Sequence, residues 1–220
     1  MRVALARQFG APDVLDVAER SDPAPAAGQV LIEVAAVPVL HLDEQIRSGW
    51  ERDLFGVQPP YVPGSGYVGR VCGLGAGVDS GWSGAMVAVD TGQSDGYVEY
   101  ALAAEDALVE VPVGVGLVDA AALLHDGRTA LGLLERVPVE SGDRVLVVGA
   151  AGGLGSLLVQ LASARGGQVT AAAPGRGQAR AGTISWRGKC RGLHRRRLVD
   201  AGACCRRGSR VRRGLRRNWW

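Results

Sequence analysis

The sequence predicts a small β-barrel domain followed by the first part of a parallel α/β sheet. Short apolar runs rich in β-branched residues, separated by turns, fill residues 1–110, which is typical of a compact barrel. From Val118 onward the apolar residues follow a helical period. Residues 144–148 then form an apolar run that leads directly into a glycine-rich turn and a helical segment. This order predicts a strand–turn–helix unit of a parallel sheet.

The strands of the first domain are recognised by their β-branched residues and by the turns between them. Residues 59–64 concentrate Pro and Gly and predict a tight turn. Gly69 and Gly73 allow the strand that contains them to bend sharply, as a small barrel requires. A short helix is predicted over 42–48. The predicted strands are 3–6, 14–18, 30–37, 67–74, 86–89 and 97–101.

The second domain begins near residue 115, where the helical period takes over. Helical stretches at 120–124 and 130–135 are interrupted around Gly127. The strand 145–148 is apolar throughout, which predicts that both of its faces are buried. A helix over 153–165 and a second strand over 168–173 complete the predicted partial sheet.

The turn between strand 145–148 and helix 153–165 has the spacing G-x-x-G-x-x-G. Backbone N–H groups at such a turn face a phosphate, and glycine lets the phosphate approach closely. The pattern therefore predicts a dinucleotide site, and hence redox chemistry; the alternative is a tight βα turn that binds no nucleotide. Strand 168–173 ends without an acidic residue and Arg176 follows it, which favours NADPH over NADH. The predicted cofactor-binding residues are Gly149, Ala151, Gly152, Gly153, Leu154 and Gly155.

Charge divides the chain into two unequal parts. Residues 1–173 contain ten Arg and twenty-one acidic residues, whereas residues 174–220 contain fourteen Arg, Lys189 and a single acid, Asp200. The tail also loses hydrophobic periodicity, so we expect no packed core there. Three interpretations are open: translation out of frame beyond residue 173, which we favour; a passive disordered tail; and an arm that binds nucleic acid through Arg and Trp side chains.

The four cysteines do not indicate a disulfide framework. Cys72 lies in an apolar stretch and is expected in the core. A zinc set can be written from the tail residues Cys190, His194, Cys204 and Cys205, but adjacent cysteines are an awkward ligand pair. The sequence has neither a signal-peptide pattern nor an apolar run of membrane-spanning length, so we expect a reduced, cytoplasmic protein.

Several blocks agree in order and spacing with a known family. They are Asp43-x-x-x-Arg47-Ser48-Gly49, Pro63-Gly64-Ser65-Gly66-x-x-Gly69, Gly96-Tyr97-Val98-Glu99-Tyr100, His125-Asp126-Gly127-Arg128-Thr129-Ala130 and the glycine turn. From residue 1 to about residue 173 this order resembles the zinc-independent quinone oxidoreductases of the medium-chain dehydrogenase/reductase superfamily. The resemblance implies a GroES-like catalytic domain over 1–115, a partial Rossmann (doubly wound) NADPH-binding domain over 116–173 and a basic tail over 174–220.

The resemblance also implies an activity: hydride transfer from NADPH to a quinone or an α,β-unsaturated carbonyl. Zinc-dependent relatives carry Cys and His where this chain has Leu40 and Ser65, so no catalytic zinc is expected. The family continues for more than a hundred further residues that are not recognisable here after Ala173. We therefore expect this exact, truncated chain to lack measurable turnover, and its homodimer contacts to be incomplete. A non-catalytic GroES-like module is a further alternative.

The resemblance assigns candidate roles to five residues outside the glycine turn. Thr129 is similar to the family threonine near the nicotinamide; alternatively it bonds its own backbone at a helix interruption. Asp43 and Arg47 face the catalytic cleft in the family, and the alternative is an exposed i,i+4 ion pair. His41 and Tyr61 are candidate substrate contacts, with a solvated histidine and a packing tyrosine as the alternatives.

Overall fold

The computed structural model describes residues 1–50, 52–92, 94–174 and 189–193. Contacts divide the chain into an N-terminal unit, Met1–His125, and a C-terminal unit, Asp126–Trp220. In its described part the N-terminal unit is mostly antiparallel β-structure with three α-helices. The C-terminal unit combines helices with a parallel sheet. The two-part fold class predicted from the sequence is therefore confirmed.

The N-terminal unit contains seven strands and three α-helices in its described part. Five strands form one antiparallel sheet in the order β6-β3-β4-β5-β7, and β1 pairs with β2. Its elements are β1 (Arg2–Ala6), β2 (Leu15–Glu19), β3 (Gln29–Ala36), α1 (His41–Ser48), α2 (Arg52–Phe55), β4 (Gly66–Leu74), β5 (Met86–Asp90), β6 (Tyr100–Ala104), β7 (Val109–Glu110) and α3 (Leu117–Leu123).

One core cluster of this unit lies on one face of the five-stranded sheet. Val30 and Ile32 of β3 alternate inward at the two-residue period of a strand and meet Tyr67 and Val71 of β4. Gly69 allows these two strands to approach, because a Cβ at this position would overlap the carbonyl oxygen of Glu33. The glycine that was predicted to let this strand bend is thus needed for the close approach of its neighbour.

Two N-terminal predictions are wrong. Cys72 was expected in the core but is exposed, because it alternates with Val71 on β4 and points to the opposite side. The strand predicted over 97–101 begins only at Tyr100. Tyr97 and Gly96 instead donate backbone N–H groups to Pro63 at 2.9 and 3.1 Å, which holds this segment against the Pro-Gly turn.

Burial of Tyr67 makes the stability of this unit sensitive to alkaline pH. The side chain is 1% exposed, its hydroxyl donates to the carbonyl of Leu102 at 3.1 Å, and burial raises its pKa from 10.0 to about 12. Below pH 10 the phenol is protonated in both states and its contribution is complete. Between about pH 10 and 12 the unfolded chain loses the proton first, so stability falls.

We expect the stability advantage of the wild type over Tyr67→Phe to be about 1 kcal/mol at pH 8, the contribution of one hydrogen bond, and to shrink above pH 10. Urea denaturation of both proteins at pH 8 and pH 11 measures this difference. An advantage of the same size at both values would contradict the expectation, since titration of Tyr67 would then play no part.

The C-terminal unit has a three-stranded parallel sheet in the order β10-β9-β8. Its elements are α4 (Asp126–Arg136), β8 (Arg144–Val148), α5 (Gly153–Ala164), β9 (Gln168–Pro174) and β10 (Lys189–Leu193). Helices α4 and α5 cover one face of the sheet, where Leu134, Val147 and Val159 are buried together. The prediction that both faces of β8 are buried is wrong. Leu146 and Val148 are 52% and 62% exposed, because among the described residues the helices cover only the opposite face.

The observed unit boundary lies at His125/Asp126, ten residues beyond the predicted one. Helix α3 explains the difference, because its Ala121 is buried with Val68, Ala88 and Val111 of the N-terminal unit. The structure also differs from the predicted tail at β10, whose backbone pairs in parallel with β9. Arg176, His194, Cys204, Cys205 and the three tail tryptophans lie outside the described residues, as does the proposed nucleic-acid arm apart from β10.

Candidate functional site

The glycine turn joins β8 to α5 as the sequence predicts. Gly149 follows β8 with a φ of +73°, in the left-handed region that favours glycine. The N–H of Ala150 then donates to the carbonyl of Ala172 on β9 at 3.0 Å, which fastens the turn to the sheet. Helix α5 starts at Gly153, and Gly152 is its N-cap residue. The turn is therefore a fixed structure at the carboxyl end of the sheet.

Close packing at this turn requires glycine at position 155. Gly155 is buried, and a Cβ on it would overlap the carbonyl oxygen of Gly149. Because Gly155 has no side chain, the first turn of α5 can pack against the end of β8. By contrast, a Cβ at Gly152 would meet only the Gly149 carbonyl oxygen, at 3.4 Å. Gly155 thus serves packing, whereas Gly152 leaves space open in front of the helix.

The start of α5 has the chemistry of an anion site. The first N–H groups of an α-helix have no partner within the helix, and no side chain caps those of α5. The helix dipole adds partial positive charge at this end. Together these groups favour a phosphate over a neutral ligand. The predicted residues Gly149, Ala151, Gly152, Gly153, Leu154 and Gly155 all lie in this turn.

Asp126 and the predicted site residue Thr129, both from the block 125–130, lie on α4 in the same unit. Asp126 is the first residue of α4, and its carboxylate lies against Gly153, where a Cβ would overlap its Oδ2 atom. Thr129 lies one turn further along α4 and is exposed. His125 belongs to the N-terminal unit, where its Nε2 atom is buried without a hydrogen-bond partner and its Nδ1 atom is 4.0 Å from a carboxylate oxygen of Asp90.

In the N-terminal unit Asp43 is the centre of a buried hydrogen-bond network. The side chain lies on α1 and is 5% exposed. Its Oδ1 accepts from the Ser65 hydroxyl at 2.8 Å. Its Oδ2 accepts from the Tyr97 hydroxyl at 3.0 Å and from the backbone N–H of Leu40 at 2.8 Å. Both carboxylate oxygens are therefore used inside the protein, where they join α1 to two distant segments.

The network also shifts the pKa values of the two tyrosines that lie close to it. Burial, followed by the charge of Asp43 and the hydrogen bond to it, raises the pKa of Tyr97. Burial and the charge of Asp43 likewise raise the pKa of Tyr61, while the charge of Arg47 opposes the shift. Both phenols are thus held in their neutral, proton-donating form.

Arg47 is buried one helical turn after Asp43. Its Nη1 donates to the carbonyl of Gly10 at 2.6 Å, and the N–H of Gly10 donates back to the Arg47 carbonyl at 2.8 Å. The side chain is 9% exposed. Burial of both residues is incompatible with the exposed ion pair that the sequence left open as an alternative, so Asp43 and Arg47 belong to the interior of this unit.

The two candidate substrate contacts have opposite environments. His41 is the first residue of α1; its side chain is 75% exposed, and its Nδ1 is 3.1 Å from Glu44. Tyr61 is buried against Ala6 and Ile46, and its hydroxyl has no hydrogen-bond partner. The structure therefore brings Tyr61 close to the Asp43 network and leaves His41 in solvent.

Sequence reasoning gave no role to Tyr97 and named Ser65 only as the residue at a position where zinc-dependent relatives carry a ligand. Both residues lie in the blocks that carry the family resemblance. They follow Asp43 by 54 and 22 residues, so no local periodicity connects them. The sequence shows only that Ser65 and Tyr97 carry hydroxyl groups and lie inside Gly-containing blocks. This does not identify Asp43 as their hydrogen-bond partner.

A surface pocket of about 400 Å³ in the N-terminal unit lies beside β1 and the end of β3. Arg2, Val34, Val37, Val98 and Glu99 are among its lining residues. The predicted site residues do not line it. This pocket therefore contains none of the residues predicted to bind cofactor or substrate.

Comparison with known proteins agrees with this arrangement. A family model for the alcohol dehydrogenase GroES-like domain matches residues 26–130. The quinone oxidoreductase of Sus scrofa is 37% identical over 163 residues, which are 72% of this chain and 48% of that protein. The human quinone oxidoreductase is 36% identical over 172 residues, 76% of this chain and 50% of that protein. The chain thus spans about half the length of the curated relatives it matches.

Solved structures of quinone oxidoreductases are also similar to this chain. The quinone oxidoreductase from Coxiella burnetii superposes with a TM-score of 0.79 at 27% identity, covering 92% of this chain and 65% of that one. The quinone oxidoreductase from Thermus thermophilus, also described in complex with NADPH, gives a TM-score of 0.75 at 28% identity, covering 93% and 64%.

Neither a membrane span nor a metal cluster is present among the described residues. They contain no helix that is long and apolar enough to cross a membrane. They also contain no group of three His, Cys, Asp or Glu side chains arranged to hold a metal ion. The order of the domains, the glycine turn and the sequence relatives lead to one result: residues 26–130 match the alcohol dehydrogenase GroES-like domain, and the chain is similar to quinone oxidoreductases over about half of their length.

Proposed function

We propose that this chain binds NADPH at the glycine turn and catalyses hydride transfer from NADPH to a quinone or an α,β-unsaturated carbonyl. The observation that carries the proposal is the start of α5, which has no side-chain cap and where Gly152 leaves space open in front of the first backbone N–H groups. Relatives named quinone oxidoreductase support the reaction. Because the chain spans about half of the length of these relatives, their activity is a proposal for this chain.

The cofactor residues fit a pyrophosphate. The N–H groups of Gly153, Leu154 and Gly155 lie in the first turn of α5, where they have no helical partner. The end of β9 supports a preference for NADPH over NADH. This strand ends at Pro174 without an acidic residue that could hold a ribose hydroxyl. The Thermus thermophilus relative described with NADPH supports the same choice.

NADPH bound at this turn supplies the hydride, and the protein supplies binding and orientation. Thr129 is exposed on α4, and we propose that its hydroxyl bonds the carboxamide or a ribose hydroxyl. Both carboxylate oxygens of Asp43 and the Nη1 atom of Arg47 are bonded to other protein groups. We therefore propose that these two are positioning residues that hold α1, and not groups that touch the substrate.

We further propose that the carbonyl is polarised without a metal. Where zinc-dependent relatives carry ligands, Leu40 is aliphatic and the Ser65 hydroxyl donates to Asp43. A hydrogen-bond donor must then stabilise the oxygen. His41 is exposed and is the candidate donor, whereas Tyr61 is a neutral donor whose buried hydroxyl would require a local rearrangement to act as one.

The experiment that tests the proposal follows NADPH oxidation by absorbance, using the full chain with a soluble quinone and with an enone. We expect oxidation that depends on both protein and acceptor, and saturable NADPH binding in a separate fluorescence titration. Binding without oxidation would limit the function to cofactor binding. Absence of both would overturn the proposal.

A further inference from the structure

We infer that the Asp126 carboxylate occupies the phosphate end of α5 and must be displaced when a pyrophosphate binds, so that Asp126 weakens the affinity of this chain for NADPH. This inference rests on the proposed function, because it concerns the same glycine turn. The role is opposite to that of orienting the cofactor, which is the other role open to an acid at this position.

The geometry places an acid beside the start of α5, where a phosphate is expected to bind. Asp126 begins α4, and its carboxylate lies so close to Gly153 that a Cβ on Gly153 would overlap the Oδ2 atom. Gly153 is the first residue of α5, next to the Gly152 N-cap. Asp126 thus meets α5 from a neighbouring helix, not from within the turn itself.

The start of α5 favours a negative charge beside it. The dipole of α5 and its unpaired N–H groups stabilise any nearby anion. A carboxylate on α4 benefits from them just as a phosphate does. Two anions cannot share this space without strong repulsion, since like charges about 4 Å apart repel even at the surface of a protein. NADPH must therefore move the Asp126 side chain or bind beside it, and either event lowers affinity.

The test compares Asp126→Asn and Asp126→Ser with a matched control, Glu135→Gln. Glu135 lies on the same helix α4 and is exposed, so its substitution removes one negative charge away from the turn. NADPH is titrated into each full-length protein by fluorescence, at low and at high salt. We expect both Asp126 variants to bind NADPH about five- to tenfold more tightly than wild type at low salt, with a smaller gain at high salt. Glu135→Gln should bind like wild type.

The outcomes separate the inference from the proposed function. If wild type binds NADPH and the Asp126 variants bind no more tightly than Glu135→Gln, the inference is overturned and the cofactor site stands. If only the Asp126 variants bind measurably, both are supported. If no protein binds NADPH while circular dichroism shows all of them folded, the proposed function fails and the inference fails with it. Two different substitutions guard against a folding defect specific to one of them.

Discussion

Gly152→Asp is expected to lower the affinity of this chain for NADPH at least about a hundredfold, because it adds a fixed negative charge where the pyrophosphate binds. Gly152 is the N-cap residue of α5 and lies in front of its first unpaired N–H groups. An aspartate there can accept hydrogen bonds from these same groups. The variant side chain would thus both repel the phosphate and take its donors.

The same substitution should leave the fold intact, which makes the loss of binding interpretable. Gly152 has a φ of −81° and a ψ of 173°, which any residue adopts. A Cβ there meets only the Gly149 carbonyl oxygen, at 3.4 Å. Because Asp is a good N-cap, the free energy of unfolding should stay the same or rise by a few tenths of a kcal/mol. Urea denaturation measures this, alongside the NADPH titration.

Gly132→Asp is the matched control for this experiment. Gly132 lies on α4 in the same unit, and a Cβ on it meets nothing within 4 Å. It therefore receives the same new carboxylate without approaching the glycine turn. If Gly152→Asp binds NADPH as well as Gly132→Asp does, the glycine turn is a structural βα connection and not the phosphate site.

The glycine turn could be predicted because all of its determinants are local. Strand, turn and helix follow one another within residues 144–164, and each has its own signal in the sequence. Gly149 and Gly155 are needed for reasons that the spacing alone indicates: a positive φ and a close approach. The burial of β8 was predicted less well. An apolar strand predicts apolar neighbours on both sides, but only the helices of the fold decide which side is covered.

The Asp43 network could not be predicted, because its members are distant in sequence. Asp43 and Arg47 show an i,i+4 spacing, and this suggests that they interact with each other. Instead, Arg47 bonds Gly10, and Asp43 bonds Ser65 and Tyr97. Asp43 and Arg47 therefore bond to residues distant in the sequence and not to each other. Likewise the contact of Asp126 with Gly153 joins two helices, and spacing along the chain contains no information about it.

The largest stability effect is expected for Asp43→Ala, at about 3–5 kcal/mol, because it leaves several buried polar groups without a partner. The hydroxyls of Ser65 and Tyr97 and the N–H of Leu40 all donate to this carboxylate. Bonds to a charged acceptor contribute more than neutral ones, and an unsatisfied buried donor is costly. A loss of this size is a large part of the stability of a typical domain.

Asp43→Asn separates the loss of charge from the loss of shape. Its amide oxygen still accepts one hydrogen bond, and the Ser65 or Tyr97 hydroxyl can rotate to accept from its NH₂ group. We therefore expect a smaller loss, about 1–2 kcal/mol. Urea denaturation followed by circular dichroism measures both variants. NADPH affinity should be unchanged in Asp43→Asn if Asp43 positions α1 and the cofactor binds at the glycine turn.

Glu44→Ala is the control on the same helix. Glu44 is the next residue of α1, its side chain is 63% exposed, and its carboxylate contacts the exposed His41 ring. Its removal should change stability by about 0.5 kcal/mol or less. If Asp43→Ala were no more destabilising than Glu44→Ala, the carboxylate could not be the centre of a buried network. A group that carries three internal hydrogen bonds in the native fold cannot be removed at the cost of an exposed ion pair.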